Sequence, residues 1–291
     1  MSISNSLFSI TTRYPYSPND QWGKNLLYLL STDPKISRIV DRSLPSIPAF
    51  KGNHLIPFKM NDKSFFIDDW DYSHPTSSII NSNIPDYYLQ DNKPIILKVQ
   101  YDSNHKDIYN QIYDKYNIKV LPFIIFPSKV FNLEFDKWNK DINHNYLCFH
   151  TGRIWKERHI WVKYLQEFHS SDIPKIENQG LSIPDYEQLL LKTKWGLILK
   201  GKGVGKNRRE VEYMSIGMPL ALNYKPEYPF PYNPNEHYVY LEKPSDISNL
   251  VDIDPQPYAE KSIEIYNKYY SVKTGGLYHS FNTAYTQSQT I

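Results

Sequence analysis

One cysteine in 291 residues, Cys148, leaves no partner for an intramolecular disulfide and no thiolate set for a zinc site. No apolar run approaches the roughly 20 residues that a membrane-spanning helix needs, so a membrane protein is not expected. The opening stretch MSISNSLFSITTRYPYS lacks the basic start, apolar centre and small-residue cleavage site of a secretory signal. These absences make a cytoplasmic protein the expectation. An excess of charge of one sign is missing too: 33 Lys and Arg against 31 Asp and Glu give a net charge of +2. Such a field is too weak to steer the molecule onto nucleic acid, so any bound anion must be met by a local cluster. Fixed-period repeats and low-complexity tails are also lacking.

What is present is an alternation of short apolar strands and helical periods. The clearest strands are residues 64–67 (SFFI), 94–99 (PIILKV) and 120–126 (VLPFIIF), the last two flanking a helical stretch with Ile108, Ile112 and Tyr116 on one face. A further helix is expected over 21–30. A polar stretch near 137–145 (KWNKDINHN) predicts a boundary, giving an amino-terminal unit of residues 1–142 and a carboxyl-terminal unit of 143–291. In the second unit, strands are expected at 146–149, 195–199 and 219–223. Helices are expected at 156–168, with Ile160, Tyr164 and Phe168 facing inward, at 184–192 and at 207–216. The pattern predicts an α/β protein of two Rossmann-like domains with a ligand cleft between them. The tail, helical at 257–270 and again after Gly275 and Gly276, is expected to pack back on the first domain. The 25 tyrosines make aromatic clusters a poor guide to ligand sites.

Residues 200–222 read KGKGVGKNRREVEYMSIGMPLAL. A kinase-type phosphate loop fails here, because Lys200 stands where its first glycine should be and Asn207 where its magnesium-binding hydroxyl should be. The dinucleotide fingerprint fails as well, at Lys206 and Arg208. What is left is a strand end, glycines Gly201, Gly203 and Gly205 that allow close backbone approach, and a helix start carrying Lys206, Arg208 and Arg209. Free N–H groups at such a helix start attract anions, and three cations there need one.

From Arg209 to Leu220 the chain resembles the donor-site helix and following strand of GT-B glycosyltransferases, where an R-x-x-E-A-[LM]-x-x-G-x-[PV] pattern is common. In particular it is similar to the exostosin-like and the protein O-glucosyl- and xylosyltransferase groups. Two further segments match in order. Residues 148–158 (CFHTGRIWKER) resemble an F-x-G-x-R-x-x-x-x-R segment, and 237–241 (HYVYL) with 245–250 (SDISNL) resemble an H-Y-[IV] strand and S-D-[IL]-x-x-L helix. The resemblance implies a nucleotide-sugar donor held by Gly152, Arg153, the loop glycines, Lys206, Arg208, Arg209 and Glu212. Glu212 would take the ribose or sugar hydroxyls and arginine the diphosphate. It also implies a GT-B fold, a glycan or glycoprotein hydroxyl as acceptor, and no bound metal or other cofactor. Arg158 is expected either at the donor or in an exposed ion pair.

Transfer with inversion needs a base for the acceptor hydroxyl. The one dense acidic cluster of the first unit, Asp68, Asp69 and Asp71, follows an apolar strand and supplies the candidates, since close carboxylates raise one another's pKa. Asp caps of a turn are the plain alternative, and a D-x-D metal site with His74 is a third. A degenerate transferase fold acting as a non-enzymatic binding or structural protein is the rival function. A nucleic-acid-binding protein ranks below it.

Overall fold

A computed structural model describes residues 8–12, 28–44, 55–61, 63–68, 90, 94–125, 138–139, 141, 144–150, 154, 157–168, 183–201 and 206–290. The architecture is mixed α/β, with one six-stranded and one four-stranded sheet.

The first sheet has the order β2-β1-β3-β4-β5-β6, with β1 at Phe8–Thr12, β2 at Ile36–Val40, β3 at Leu55–Met60, β4 at Lys63–Asp68, β5 at Ile95–Lys98 and β6 at Lys119–Pro122. Strands β4, β5 and β6 are parallel, and helix α1 (Lys106–Tyr116) forms the crossover between the last two. Both Phe65 and Phe66 on β4 are fully buried, as a central strand covered on both faces requires. On one face Phe66 and Ile96 meet Tyr109 and Ile112 of α1. The strand–helix–strand stretch from β5 to β6 is parallel, as a Rossmann-like unit requires, while the rest of the sheet is mixed. Strand β3 runs antiparallel to both β1 and β4, and the chain reverses at Asn61, whose φ of 44° asparagine tolerates better than most residues.

The second sheet is all parallel, in the order β10-β9-β8-β7, from β7 (Tyr146–Phe149), β8 (Thr193–Ile198), β9 (Leu220–Leu222) and β10 (Val239–Tyr240). Helices α2 (Arg158–Phe168) and α3 (Ile183–Leu191) connect β7 to β8, and α4 (Arg208–Ser215) connects β8 to β9. A 3-10 helix at Pro244–Val251 stands where the S-D-I segment reads as a helix. The inward face of α2 differs from the expected one: Ile160 is 66% exposed, while Arg158, Trp161 and Leu165 are buried. Two apolar stripes compete on this helix, and the one bearing the indole packs with Cys148, Trp195, Leu197 and Leu250. Gly217, one of the motif glycines, ends α4 with φ 77°, a left-handed geometry that a side chain resists. Gly196 has a different task. A Cβ there would lie 2.5 Å from the Tyr213 ring, so its absence lets α4 lie close on β8.

Two carboxyl-terminal helices close the structure, α5 (Gln256–Tyr269) and α6 (Gly276–Gln289). Helix α5 lies against α4 of the second sheet and α6 against the first sheet, so the chain returns to its first half. Tyr278 and Tyr285 of α6 meet Phe8 edge-on at centroid distances of 5.7 and 5.8 Å, and Lys63 donates to the Ser288 carbonyl at 3.0 Å. The backbone N–H of Tyr278, in the first turn of α6, donates to the buried Asp33 carboxylate at 2.9 Å. Asp33 thus caps a helix 245 residues further along the chain. Asp33→Ala is expected to lower the unfolding free energy by about 1–2 kcal/mol, read in urea, the cost of losing an N-terminal cap. No helix among the described residues is long and apolar enough to cross a membrane.

Candidate functional site

The site grows from the carboxyl ends of β7 and β8. Beyond β8, the Leu199 and Lys200 carbonyls accept from the Arg158 guanidinium at 2.9 and 2.8 Å, and the Lys200 N–H donates to Asn223 Oδ1 at 2.6 Å. Arg158 is therefore buried and clamps the strand end, not an exposed surface group. Gly201 is partly buried, and Lys206 leads into α4 through Asn207. The Asn207 side chain accepts from the Arg209 N–H at 3.2 Å, and its own N–H donates to Glu210 at 2.7 Å, a reciprocal capping box. The residue that spoils a kinase-type phosphate loop is thus the cap of this helix. The N-x-x-E spacing carried that signal in the sequence.

The structure divides the basic residues into two groups. Lys206 is only 4% exposed and turns toward the first sheet. Its ammonium donates to the Phe123 carbonyl at 3.2 Å and lies 4.8 Å over the Tyr228 ring, while its carbonyl accepts from Gln100 at 3.0 Å. Burial pushes that ammonium down, opposed by the carboxylates of Glu210 and Glu227. Glu210, fully buried, accepts from Asn207, Tyr224 and Tyr228, and burial pushes its carboxyl up. Glu227 accepts from Ser103 through both its N–H and its hydroxyl, a second tie between the halves.

Arg209 lies on the other side. It is partly exposed, and its guanidinium has no ion-pair partner among the described residues. Arg158 and Arg209 both act electrostatically on His150, the residue after β7. Burial first, then these two arginines, hold its imidazole down at about 3, and its buried Nε2 has no hydrogen-bond partner among the described residues. Glu212 lies one turn beyond Arg209 on α4, 7% exposed, and accepts from the Tyr186 hydroxyl at 3.3 Å. Arg208 is partly buried beside them. Arg158, Arg209, His150 and Glu212 are thus gathered at one sheet end.

Among the acidic candidates, Asp68 ends β4 and pairs with Lys98, its register partner on β5, at 3.0 Å. Both are fully buried. Asp69, Asp71 and His74, like Gly152, Arg153, Gly203 and Gly205, lie outside the described residues. Among the described residues no group of three or more His, Cys, Asp or Glu could hold a metal ion. No protein-family model matches the sequence, and no curated protein matches it.

Proposed function

We propose that the protein is a glycosyltransferase of GT-B type that moves a sugar from a nucleotide-sugar to a hydroxyl of a glycan or glycoprotein. The observation that carries this reading is the grouping of cations where β7 and β8 end and α4 begins: Arg158 is bonded to the Leu199 and Lys200 carbonyls, Arg209 lies in the first turn of α4, and both act on His150. In open α/β sheets ligands bind at that edge, and a helix start with two guanidiniums suits a diphosphate. In this reading the two sheets are two Rossmann-like halves. Arg209, with Arg153 and Arg208, meets the diphosphate, which the loop glycines Gly201, Gly203 and Gly205 and Gly152 let approach. Glu212 takes the sugar or ribose hydroxyls. Lys206 sets the position of the loop through Phe123 and Gln100. No step is assigned to a metal. The cations offset the charge of the departing diphosphate, and a carboxylate of the acidic segment after β4 removes the acceptor proton. With Asp68 sealed against Lys98, that base is Asp69 or Asp71.

Titration of the protein with a nucleoside diphosphate and with a panel of nucleotide-sugars tests the assignment. Arg209→Ala is expected to weaken diphosphate binding by about 10- to 100-fold, the loss of a charge-assisted hydrogen bond. Glu212→Ala is expected to weaken nucleotide-sugar binding and to leave inorganic pyrophosphate untouched. Unchanged affinities in both variants would refute the site. The sealed Asp68–Lys98 pair favours one second reading, a nucleotide-sugar-binding protein without catalysis. Binding with no donor turnover in the presence of any acceptor would select it.

A further inference from the structure

We propose that His150 is a phosphate-binding residue of this site that takes up a proton as a diphosphate binds, so that affinity for the diphosphate rises as pH falls; the inference rests on the donor-site reading above. His150 follows the last residue of β7, which pairs in register with Gly196 of β8, so the ring stands at the edge from which the glycine loop departs. Its Nε2 is buried and has no hydrogen-bond partner among the described residues. The contrast with His237 is instructive, because that buried ring accepts from the Asn233 N–H at 3.0 Å and is satisfied within the fold.

Among the described residues, the charged groups that act on the His150 ring are Arg158, from α2, and Arg209, from the first turn of α4. No carboxylate among the described residues acts on it. Two guanidiniums and burial keep the imidazole neutral while the site holds no anion. A diphosphate between the arginines reverses the sign of the field at the ring. The imidazolium then becomes the favoured form, and its charge pairs with the anion. The reaction balances as one proton drawn from solvent for each diphosphate bound, with no covalent change.

Calorimetric titration of the whole protein with inorganic pyrophosphate and with a nucleoside diphosphate tests this, for wild type and for His150→Gln. Relative to the variant, wild type is expected to gain about tenfold in affinity between about pH 8 and about pH 5.5, as a histidine restored toward its ordinary pKa requires. The phosphate's own titration is common to both proteins and cancels in the comparison. Wild type should also take up close to one proton per ligand near the acid end, read from buffers of different ionisation heat. Parallel pH profiles for wild type and variant overturn the assignment. So does absence of proton uptake by wild type, a readout that holds even where the variant does not fold. A His150-dependent profile for pyrophosphate, with nucleoside diphosphate and nucleotide-sugars binding no more tightly, leaves His150 in place and removes the donor-site reading. No binding of either ligand at any pH removes both.

Discussion

Glu210→Ala is expected to lower the unfolding free energy by about 3–5 kcal/mol, the cost of leaving two or three buried hydrogen-bonding groups without their acceptor at about 1–3 kcal/mol each. The carboxylate is fully buried, accepts from the Asn207 N–H at 2.7 Å and from the Tyr228 hydroxyl at 3.0 Å, and is bonded by Tyr224 as well. Alanine would strip the capping box from α4 and leave two buried phenols without their acceptor. It would also remove the carboxylate that does most to hold up the buried Lys206 ammonium. Each is a desolvated group deprived of its partner, which costs more than the bond itself contributes. Glu210→Gln keeps the shape and one acceptor, so less than half of that loss is expected. Urea unfolding followed by tryptophan fluorescence measures both. The pH dependence has a definite sign. Burial raises the Glu210 carboxyl to about 7, so its titration contributes stability that is fully present below the unfolded carboxylate value and lost as pH rises through neutrality. The gap between wild type and Glu210→Gln should therefore widen toward acid. A gap that narrows instead would mean that the carboxylate, not the acid, is the stabilised form.

Why the sequence yields some of this and conceals the rest is a matter of what periodicity and spacing can report. Strands β4, β5, β7 and β8 are buried on both faces and read as continuous apolar runs. Strands β1 and β2 carry polar residues, as in ISRIV of β2 with its exposed Ile39 and Val40, and β3 contains Pro57, so none presents the expected pattern. The antiparallel reversal at Asn61 therefore stayed hidden. On α2 the competing stripes are one residue apart, and only the position of Trp195 and Leu250 decides between them. At the candidate site, Arg209 and Glu212 stand out in the sequence through the resemblance of residues 209–220 to a donor-site helix, and α4 presents them one turn apart. The role of Arg158 was not legible, since nothing local shows that its guanidinium reaches carbonyls 41 and 42 residues onward. Nor does composition separate Lys206, turned inward to the Phe123 carbonyl, from Arg209, which keeps part of its surface in solvent. The division between them depends on how the two sheets meet.

Phe281→Ala probes that meeting and is expected to cost about 3–5 kcal/mol in unfolding free energy, as for other fully buried aromatic side chains. The ring is 0% exposed and packs edge-on against Phe58 of β3 at 5.6 Å and Phe123, just beyond β6, at 5.2 Å. No polar partner is lost, so the whole effect is lost burial and the cavity left behind. Phe123 is also the residue whose carbonyl holds Lys206 at the end of the glycine loop, so the same variant asks whether the candidate site depends on the first sheet. Arg158, Arg209, His150 and Glu212 all belong to the second sheet and its helices. If these residues alone form the diphosphate site, nucleoside diphosphate affinity under native conditions should stay within about twofold of wild type despite the lost stability, as for substitutions at independent positions. A larger fall in affinity would show that the loop is set from across the two halves, through the Phe123 and Gln100 bonds to Lys206, and that binding and the joining of the sheets are one event.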